Sequence, residues 1–352
     1  MPKKVIFDKK IALVLGGAGF IGSNLCDELL KTSKVICIDN FSTGNEKNID
    51  HLLSEPDFEF VRHDMTEAIS LDNLPELQKF KIKFQGIQEI YNLACPMSVK
   101  NFSNNKIATL LANSLATKNA LDLAMHYNAN ILHFSSSVVY GPRDNENIKL
   151  KESDLINLDF LSDRSSYDEG KRFAETMVMN YNRENGVKAK IVRLFRIYGP
   201  RMPLGDDQML PDFIDNALDN LNLSIFGDEN FSSSFCYISD CIDACLKMIN
   251  SDFVGPINIG SDVDINLKDV ANRVIALLDS KSSIEYVEAR EFMTPLCLPD
   301  ISMARDKLGW LPVVPLEKGL KDTVHHIRAN KGLKSVKNAM MNFIDSDEDS
   351  KA

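Results

Sequence analysis

Several features are missing from this chain, and each absence narrows what it can be. No apolar run approaches the ~18 residues that a membrane-spanning helix needs, so no such helix is expected. Met1 to Lys10 is interrupted by charges and lacks the apolar core of a secretory signal. Gly (17) and Pro (13) are too few for a collagen-like or low-complexity chain, and no internal repeat is present. There is no CxxC pair. The cysteines, Cys26, Cys37, Cys95, Cys236, Cys241, Cys245 and Cys297, are odd in number and scattered. That usage fits free thiols in a reducing, cytoplasmic setting. Cys236, Cys241 and Cys245 cluster, but no His lies near them. The spacing of the last two suits one buried helix face, so packing is preferred to a metal site.

An excess of cations is missing too. Forty Lys and Arg face 50 Asp and Glu, a net charge of −10, which argues against general nucleic-acid binding. A small phosphorylated ligand held by a few local donors remains compatible. The 44% hydrophobic and 26% charged residues are ordinary globular usage, which excludes disorder across the chain. At 352 residues, two domains or one domain with a smaller lobe are expected.

The first half alternates strand and helix patterns. Ile11 to Leu15 (IALVL) is an apolar run suited to a buried parallel strand. Ile21 to Leu30 repeats its apolar residues as a helix does. Strands are expected at 35–38, 58–61, 87–94, 130–134 and 190–194, and helices at 109–127 and 167–182. This order implies an α/β fold, a Rossmann-like doubly wound parallel sheet, followed by a smaller mixed C-terminal lobe. Helices are also expected at 211–221, 267–278 and 316–328. The acidic end, 331–352, reads as a disordered tail.

IALVL runs straight into Gly16, Gly19 and Gly22, and then into the helix. Glycines here permit a tight turn and bring backbone amides, with those of Phe20 and Ile21, against a pyrophosphate at a helix N-terminus. Asp39 follows 20 residues after Gly19, at the end of the second strand. A carboxylate there accepts from both adenosine ribose hydroxyls and repels a 2′-phosphate. Asn40 to Gly44 supply no Arg or Lys to hold one, so NAD is expected as the cofactor, not NADP. Asn40 is a further candidate contact. Asp64, after the third strand, is placed either at the adenine edge or in a plain surface loop.

Tyr167 and Lys171 stand four apart on a predicted helix and share a face. A neighbouring ammonium favours the phenolate, by about 1–3 pKa units, which would make Tyr167 a proton acceptor from an alcohol. Ser136, at a strand end, can hydrogen-bond the same alcohol.

With these motifs in view, the chain resembles the extended short-chain dehydrogenase/reductases, the NAD-dependent epimerase/dehydratase family that acts on nucleotide sugars. It is most similar to the UDP-glucuronate decarboxylases. The matching stretches are GGAGFIGSNL at 16–25, YNLACP at 91–96, SSYDEGKRFAET at 165–176, YGPRM at 198–202 and LPDISMARDKLGW at 298–310. The resemblance implies that Ser136, Tyr167 and Lys171 are catalytic, that Gly16, Gly19, Gly22 and Asp39 contact NAD, and that Tyr167 and Lys171 also contact it, Lys171 at the nicotinamide ribose. It further implies that Asn113 supports the active-site strand. The implied chemistry begins with oxidation of a sugar C4 hydroxyl, in the setting of cell-surface polysaccharide synthesis. A homodimer through the helices at 109–127 and 167–182 is implied as well. The implied division is an NAD-binding domain at 1–195, with segments near 235–262 returning to it, a nucleotide-sugar lobe at 196–330, and the tail.

The departures from the family pattern bear on the reaction. Where the decarboxylases carry Glu two positions after the catalytic Ser, this chain has Val138, next to Ser137. Valine cannot transfer a proton. Ser233 and Cys297 stand where the family has arginines, and Arg196 stands where it has an asparagine; by resemblance these three, with Ser137 and Val138, are the candidate substrate-binding residues. Arg196 either contacts the phosphate or sugar or pairs with an acid. The expectation is an oxidoreductase that makes a 4-keto nucleotide sugar, UDP- or GDP-linked. A 4-epimerase and a UDP-glucuronate decarboxylase are the enzymatic alternatives, and a catalytically silent NAD sensor or scaffold is the non-enzymatic one. No metal, nucleic acid or membrane is expected as a partner.

Overall fold

The computed structural model describes residues 9–97, 104–143, 149–154, 159–206, 208–288 and 297–349. Residues 1–8 and 350–352, at the two ends read above, lie outside these. Six of the seven strands of the central sheet come from the first 194 residues: β1 (Lys10–Leu15), β2 (Ser33–Asp39), β3 (Phe58–Arg62), β4 (Glu89–Asn92), β5 (Asn130–Ser136) and β6 (Ala189–Leu194). The seventh, β7 (Pro256–Ile259), arrives late in the chain and pairs with β6. Every pairing in the sheet is parallel, in the spatial order β7-β6-β5-β4-β1-β2-β3.

The short apolar runs explain this arrangement. A strand covered by helices on both faces must be apolar throughout, and Ile11 to Leu15 are all fully buried. Strand order reverses between β1 and β4, so the chain departs from their C-terminal ends to opposite sides. Such a switch point opens a crevice where open α/β sheets bind ligands. Both the Gly16–Gly22 turn and the β5 end open onto it.

The helices that frame the crevice are α1 (Phe20–Leu30), α2 (Lys106–Leu111), α3 (Thr117–Tyr127) and α4 (Ser165–Asn185). The expected single helix at 109–127 is divided: a π-helical turn, Ala112–Ala116, separates α2 from α3. Asn113 sits in that turn, and its Nδ2 donates to the Thr109 carbonyl at 2.9 Å. A side chain that takes a backbone acceptor in this way disturbs the regular ladder.

Beyond β6, pairs of short strands and further helices build the smaller lobe. Ile197–Tyr198 pairs in parallel with Cys236–Tyr237, and Leu223–Phe226 with Ile284–Val287. Helices α5 (Met209–Leu218), α6 (Ile238–Asn250) and α7 (Leu267–Leu278) pack around them. Cys241 and Cys245 are buried one turn apart in α6. Trp310, fully buried, donates through Nε1 to the Asp240 carbonyl at 2.9 Å, while Asp240 Oδ2 accepts from the amides of Val313 and Val314. That pins the chain before α8 (Leu316–Asp349). Helix α8 continues through 331–349, where a disordered tail was expected. After Gly332 this stretch holds no Gly or Pro to interrupt a helix, and its Lys, Ala and Met residues favour helical backbone. No helix of the described residues is long and apolar enough to cross a membrane.

Candidate active site

At the β1 end, Gly16 turns the chain with φ of 80°, a left-handed conformation that suits glycine. Its amide and that of Gly17 donate to the Ile38 carbonyl, which ties the turn to β2. Gly22 is required by space. A Cβ there would lie 2.3 Å from the Gly16 carbonyl oxygen and 2.8 Å from the Gly17 Cα. The start of α1 is thereby drawn onto the turn. No side chain caps it and no acid lies in its first turn. The first-turn amides are left without intrahelical partners by helix geometry and face the crevice with the positive end of the helix dipole. Phe20, Ile21 and Gly22 line the cavity. This cradle fits the pyrophosphate of a dinucleotide.

Asp39 is nearly buried, and its carboxylate holds the loop together. Oδ2 accepts from the Ala18 amide at 2.9 Å and Oδ1 from the Phe41 amide at 2.8 Å. Two amide contacts leave part of a carboxylate's accepting capacity open. Burial pushes its pKa up, against the lowering effect of the amides of Phe41, Ala18 and Asn40. The chain then folds back over it: a Cβ on Gly44 would come within 2.8 Å of Asp39 Oδ1. Asn40 and Asp64 bond each other across the two loops, Nδ2 to Oδ2 at 2.9 Å. The other Asp64 oxygen accepts from the Thr66 amide and hydroxyl, which hold its pKa down. Neither Asn40 nor Asp64 lines the central cavity, so the two form a clasp beside Asp39 at the sheet edge.

The other wall is built by β5 and α4. Ser136 ends β5, Ser137 and Val138 follow in a short 3₁₀ turn, and Tyr167 and Lys171 project from α4. All five line one cavity of about 370 Å³ with the glycine turn. The Ser136 hydroxyl hydrogen-bonds the Tyr167 hydroxyl and favours its ionised form, but burial and then the nearby Cys95 thiol dominate. The net result is a Tyr167 pKa raised well above its ordinary value. Lys171 Nζ lies 5.8 Å from the Tyr167 ring centre and donates to the Phe134 carbonyl at 2.8 Å.

Buried polar contacts fix this wall from behind. Ser135 Oγ donates to Glu175 Oε1 at 2.6 Å, and Arg193 grips the same carboxylate through two nitrogens. Arg193 also donates to the Tyr140 hydroxyl at 2.6 Å, and Arg172 to the Val139 carbonyl at 3.0 Å. The turn that presents Ser136 to Val138 is thus anchored to α4 and β6. Asn113 reaches the site indirectly, donating to Cys95 Sγ at 3.3 Å. Gly170 lets α4 approach it, since a Cβ there would lie 2.9 Å from Asn113 Nδ2.

Of the residues where the chain departs from the family pattern, Val138 and Arg196 line the cavity and Ser233 and Cys297 do not. Ser233 is buried in a strand paired with Ile265–Asn266. Cys297 is packed with Val139, Tyr140, Leu150 and Phe195. The cavity also takes in Thr43, Cys95, Arg164 and Gln208, which the sequence reading missed. Arg164 carried a signal, since it lies one helical turn before Tyr167. The others come from loops whose placement no periodicity reveals.

Comparison with known proteins follows the same lines. A family model, the NAD dependent epimerase/dehydratase family, matches residues 12–260. UDP-glucuronic acid decarboxylase 1 of Arabidopsis thaliana is 37% identical over 317 residues, spanning 90% of this chain and 69% of that protein. Its counterpart in Xenopus tropicalis is 34% identical over 322 residues, spanning 91% and 73%. Among solved structures, UDP-glucuronic acid 4-epimerase of Bacillus cereus, in complex with UDP-glucuronic acid and NAD, superposes with a TM-score of 0.78 at 27% identity, covering 91% and 99% of the two chains. An epimerase from Methanothermobacter thermautotrophicus gives 0.81 at 25% identity, covering 93% and 94%.

Proposed function

This chain belongs to the NAD-dependent epimerase/dehydratase family, and from that premise we propose that it oxidises the C4 hydroxyl of a nucleotide-linked sugar. The observation that carries this reading is the meeting of Ser136, Tyr167 and Lys171 on one wall of a cavity whose opposite wall is the glycine turn. When bound, NAD supplies the hydride acceptor. For this, Tyr167 would first release its phenolic proton to solvent, which the positive charges of Lys171 and of bound NAD would favour; as the phenolate it would then take the sugar hydroxyl proton, while Ser136 orients that hydroxyl through its own hydrogen bond. Lys171, held by the Phe134 carbonyl, places a positive charge near Tyr167 and would hold the cofactor ribose. Asp39, Asn40 and Asp64 close the adenosine end. Residues 1–195 serve the cofactor and 196–330 the nucleotide sugar.

Among the described residues the cavity lining holds no Asp or Glu. Val138 stands where a carboxylate base or acid would serve dehydration or decarboxylation. That favours a fate for the 4-keto sugar needing no further acid: release, or re-reduction on the other face as a 4-epimerase. The pairing of two copies through α2, α3 and α4 is part of the same reading. Incubation of the NAD-loaded protein with UDP- and GDP-sugars, read by mass spectrometry, tests it. A product lighter by two hydrogens, or an isomer of unchanged mass, is expected. Loss of carbon dioxide from UDP-glucuronate would overturn the argument from Val138, and no turnover of any sugar would overturn the reading.

A further inference from the structure

The cavity lining carries three cations, Arg164, Lys171 and Arg196, and among the described residues no carboxylate. Two of the three have protein partners. Lys171 donates to Phe134, and Arg164 Nε meets Asp168 Oδ2 at 3.3 Å. Arg196 differs: among the described residues it forms no ion pair, and its Nε is buried without a hydrogen-bond partner. The acid-pairing reading of this residue therefore finds no acid.

Its backbone is held in an unusual state. Arg196 has φ of 42°, which non-glycine residues rarely adopt. The flanking contacts impose it: the Phe195 amide donates to the Ile259 carbonyl at 2.9 Å, and the Cys236 amide to the Arg196 carbonyl at 3.1 Å. A strained residue carrying an orphaned buried donor at a cavity wall is a candidate for ligand contact. The register gives its position. Leu194 pairs with Ser136 across β6 and β5. Arg196 and Val138 each lie two residues beyond that pair, at the strand ends that carry the reacting groups.

We propose that Arg196, with Arg164 beside it, binds an oxyanion of the substrate, either a carboxylate on the sugar or a phosphate of the nucleotide. A guanidinium presents two parallel N–H donors to such a group. Burial, and then the charge of Arg164, push the Arg196 pKa down to about 10, so it remains a cation at neutral pH. A bound anion would relieve both penalties. Val138 adds no opposing charge where an acid would repel a carboxylate. The inference rests on the nucleotide-sugar reading and deepens it by naming the group recognised.

Calorimetric titration of the NAD-loaded chain with UDP-glucuronate, UDP-glucose and UDP tests it, in wild type, Arg196→Gln and Arg196→Asn. Asn tolerates positive φ and guards against a folding defect, and unchanged NAD affinity and melting temperature confirm intact variants. If the anion is the sugar carboxylate, both variants lose about 10–100-fold in affinity for UDP-glucuronate and keep UDP-glucose and UDP. If it is a phosphate, all three ligands weaken together. Variants that bind all three ligands as wild type does overturn the inference alone. GDP-mannose and GDP are titrated alongside, and wild type that binds none of the UDP or GDP ligands overturns the nucleotide-sugar reading, and the inference with it.

Discussion

Lys171 Nζ donates to the carbonyl oxygen of Phe134 at 2.8 Å, and so ties the middle of α4 to the last buried residues of β5. The contact sets where the ammonium stands relative to Tyr167, four residues earlier on the same helix. It does not by itself ionise Tyr167, whose pKa burial holds high. For an acid with a raised pKa the neutral form dominates below that value. In the cofactor-free protein, ultraviolet difference titration of wild type against Tyr167→Phe should show no tyrosinate from Tyr167 below pH about 10. A phenolate present at neutral pH would overturn this. With NAD and substrate, Tyr167→Phe should lower kcat by about 10²–10⁴-fold while leaving NAD affinity little changed.

The glycine turn makes a sharper prediction, because its glycines are not equivalent. Gly22→Ala would drive a Cβ into backbone atoms of Gly16 and Gly17, which cannot move without displacing β1 or α1. Gly19→Ala would meet only the Gly16 carbonyl oxygen, at 3.4 Å, an ordinary contact. Gly22→Ala should therefore lower the melting temperature and abolish NAD binding. Gly19→Ala should melt close to wild type and lose only NAD affinity, because its methyl would stand where the amides are approached. Equal melting temperatures for the two variants would contradict this account.

Why the glycine turn was legible and other parts were not can be put in physical terms. A tight turn between an apolar strand and a helix leaves a local signature, and so does a Tyr–Lys pair at helical spacing. Cys95, Thr43 and Gln208 reach the cavity only through tertiary folding of loops. Cys297 was assigned to the site by alignment to a pattern, yet it packs behind the 139–140 turn, with its thiol toward the carbonyls of Gly141 and Pro142. The π-helical turn at Asn113 was hidden because one extra residue per turn hardly disturbs an apolar repeat. The reach of α8 was underestimated because a polar composition does not by itself stop a helix.

Asp39 and its neighbour Arg62 bear on cofactor choice. The two are register partners on β2 and β3, and the Arg62 guanidinium stacks over the Phe41 ring, 5.8 Å from its centre. Asn40 to Gly44 supply no cation, but the adjacent strand does. Asp39→Ala should therefore raise the affinity for NADP relative to NAD, and adding Arg62→Ala should reverse that gain. Asp39 also leaves a pH signature. Its pKa is raised in the folded state, so its contribution to stability is present below the unfolded carboxylate value and lost as pH rises through the folded one. Relative to Asp39→Asn, wild type should lose melting temperature as the pH climbs above about 4. A difference of the opposite sign would mean that the amide donors outweigh burial.

The outer faces of α2 and α4 carry the last prediction. Ile107, Leu110, Leu111 and Leu115 follow helical spacing and stay exposed, with Ile107 at 69%, and Phe173 of α4 is 52% exposed. Apolar side chains repeated on one face of a helix that already packs inward on its opposite side are the mark of a second interface. Helix α4 carries Tyr167 and Lys171, and the π-helical turn that follows α2 carries Asn113, so pairing through these helices would stiffen the catalytic wall. Light scattering should find a dimer for wild type. Leu110→Glu combined with Phe173→Glu should give a monomer, because burying carboxylates across the interface without partners is unfavourable. Retained NAD binding would show that the monomer is folded. A wild type that is monomeric at every concentration tested, or a double variant that still dimerises, would remove α2 and α4 as the pairing surface.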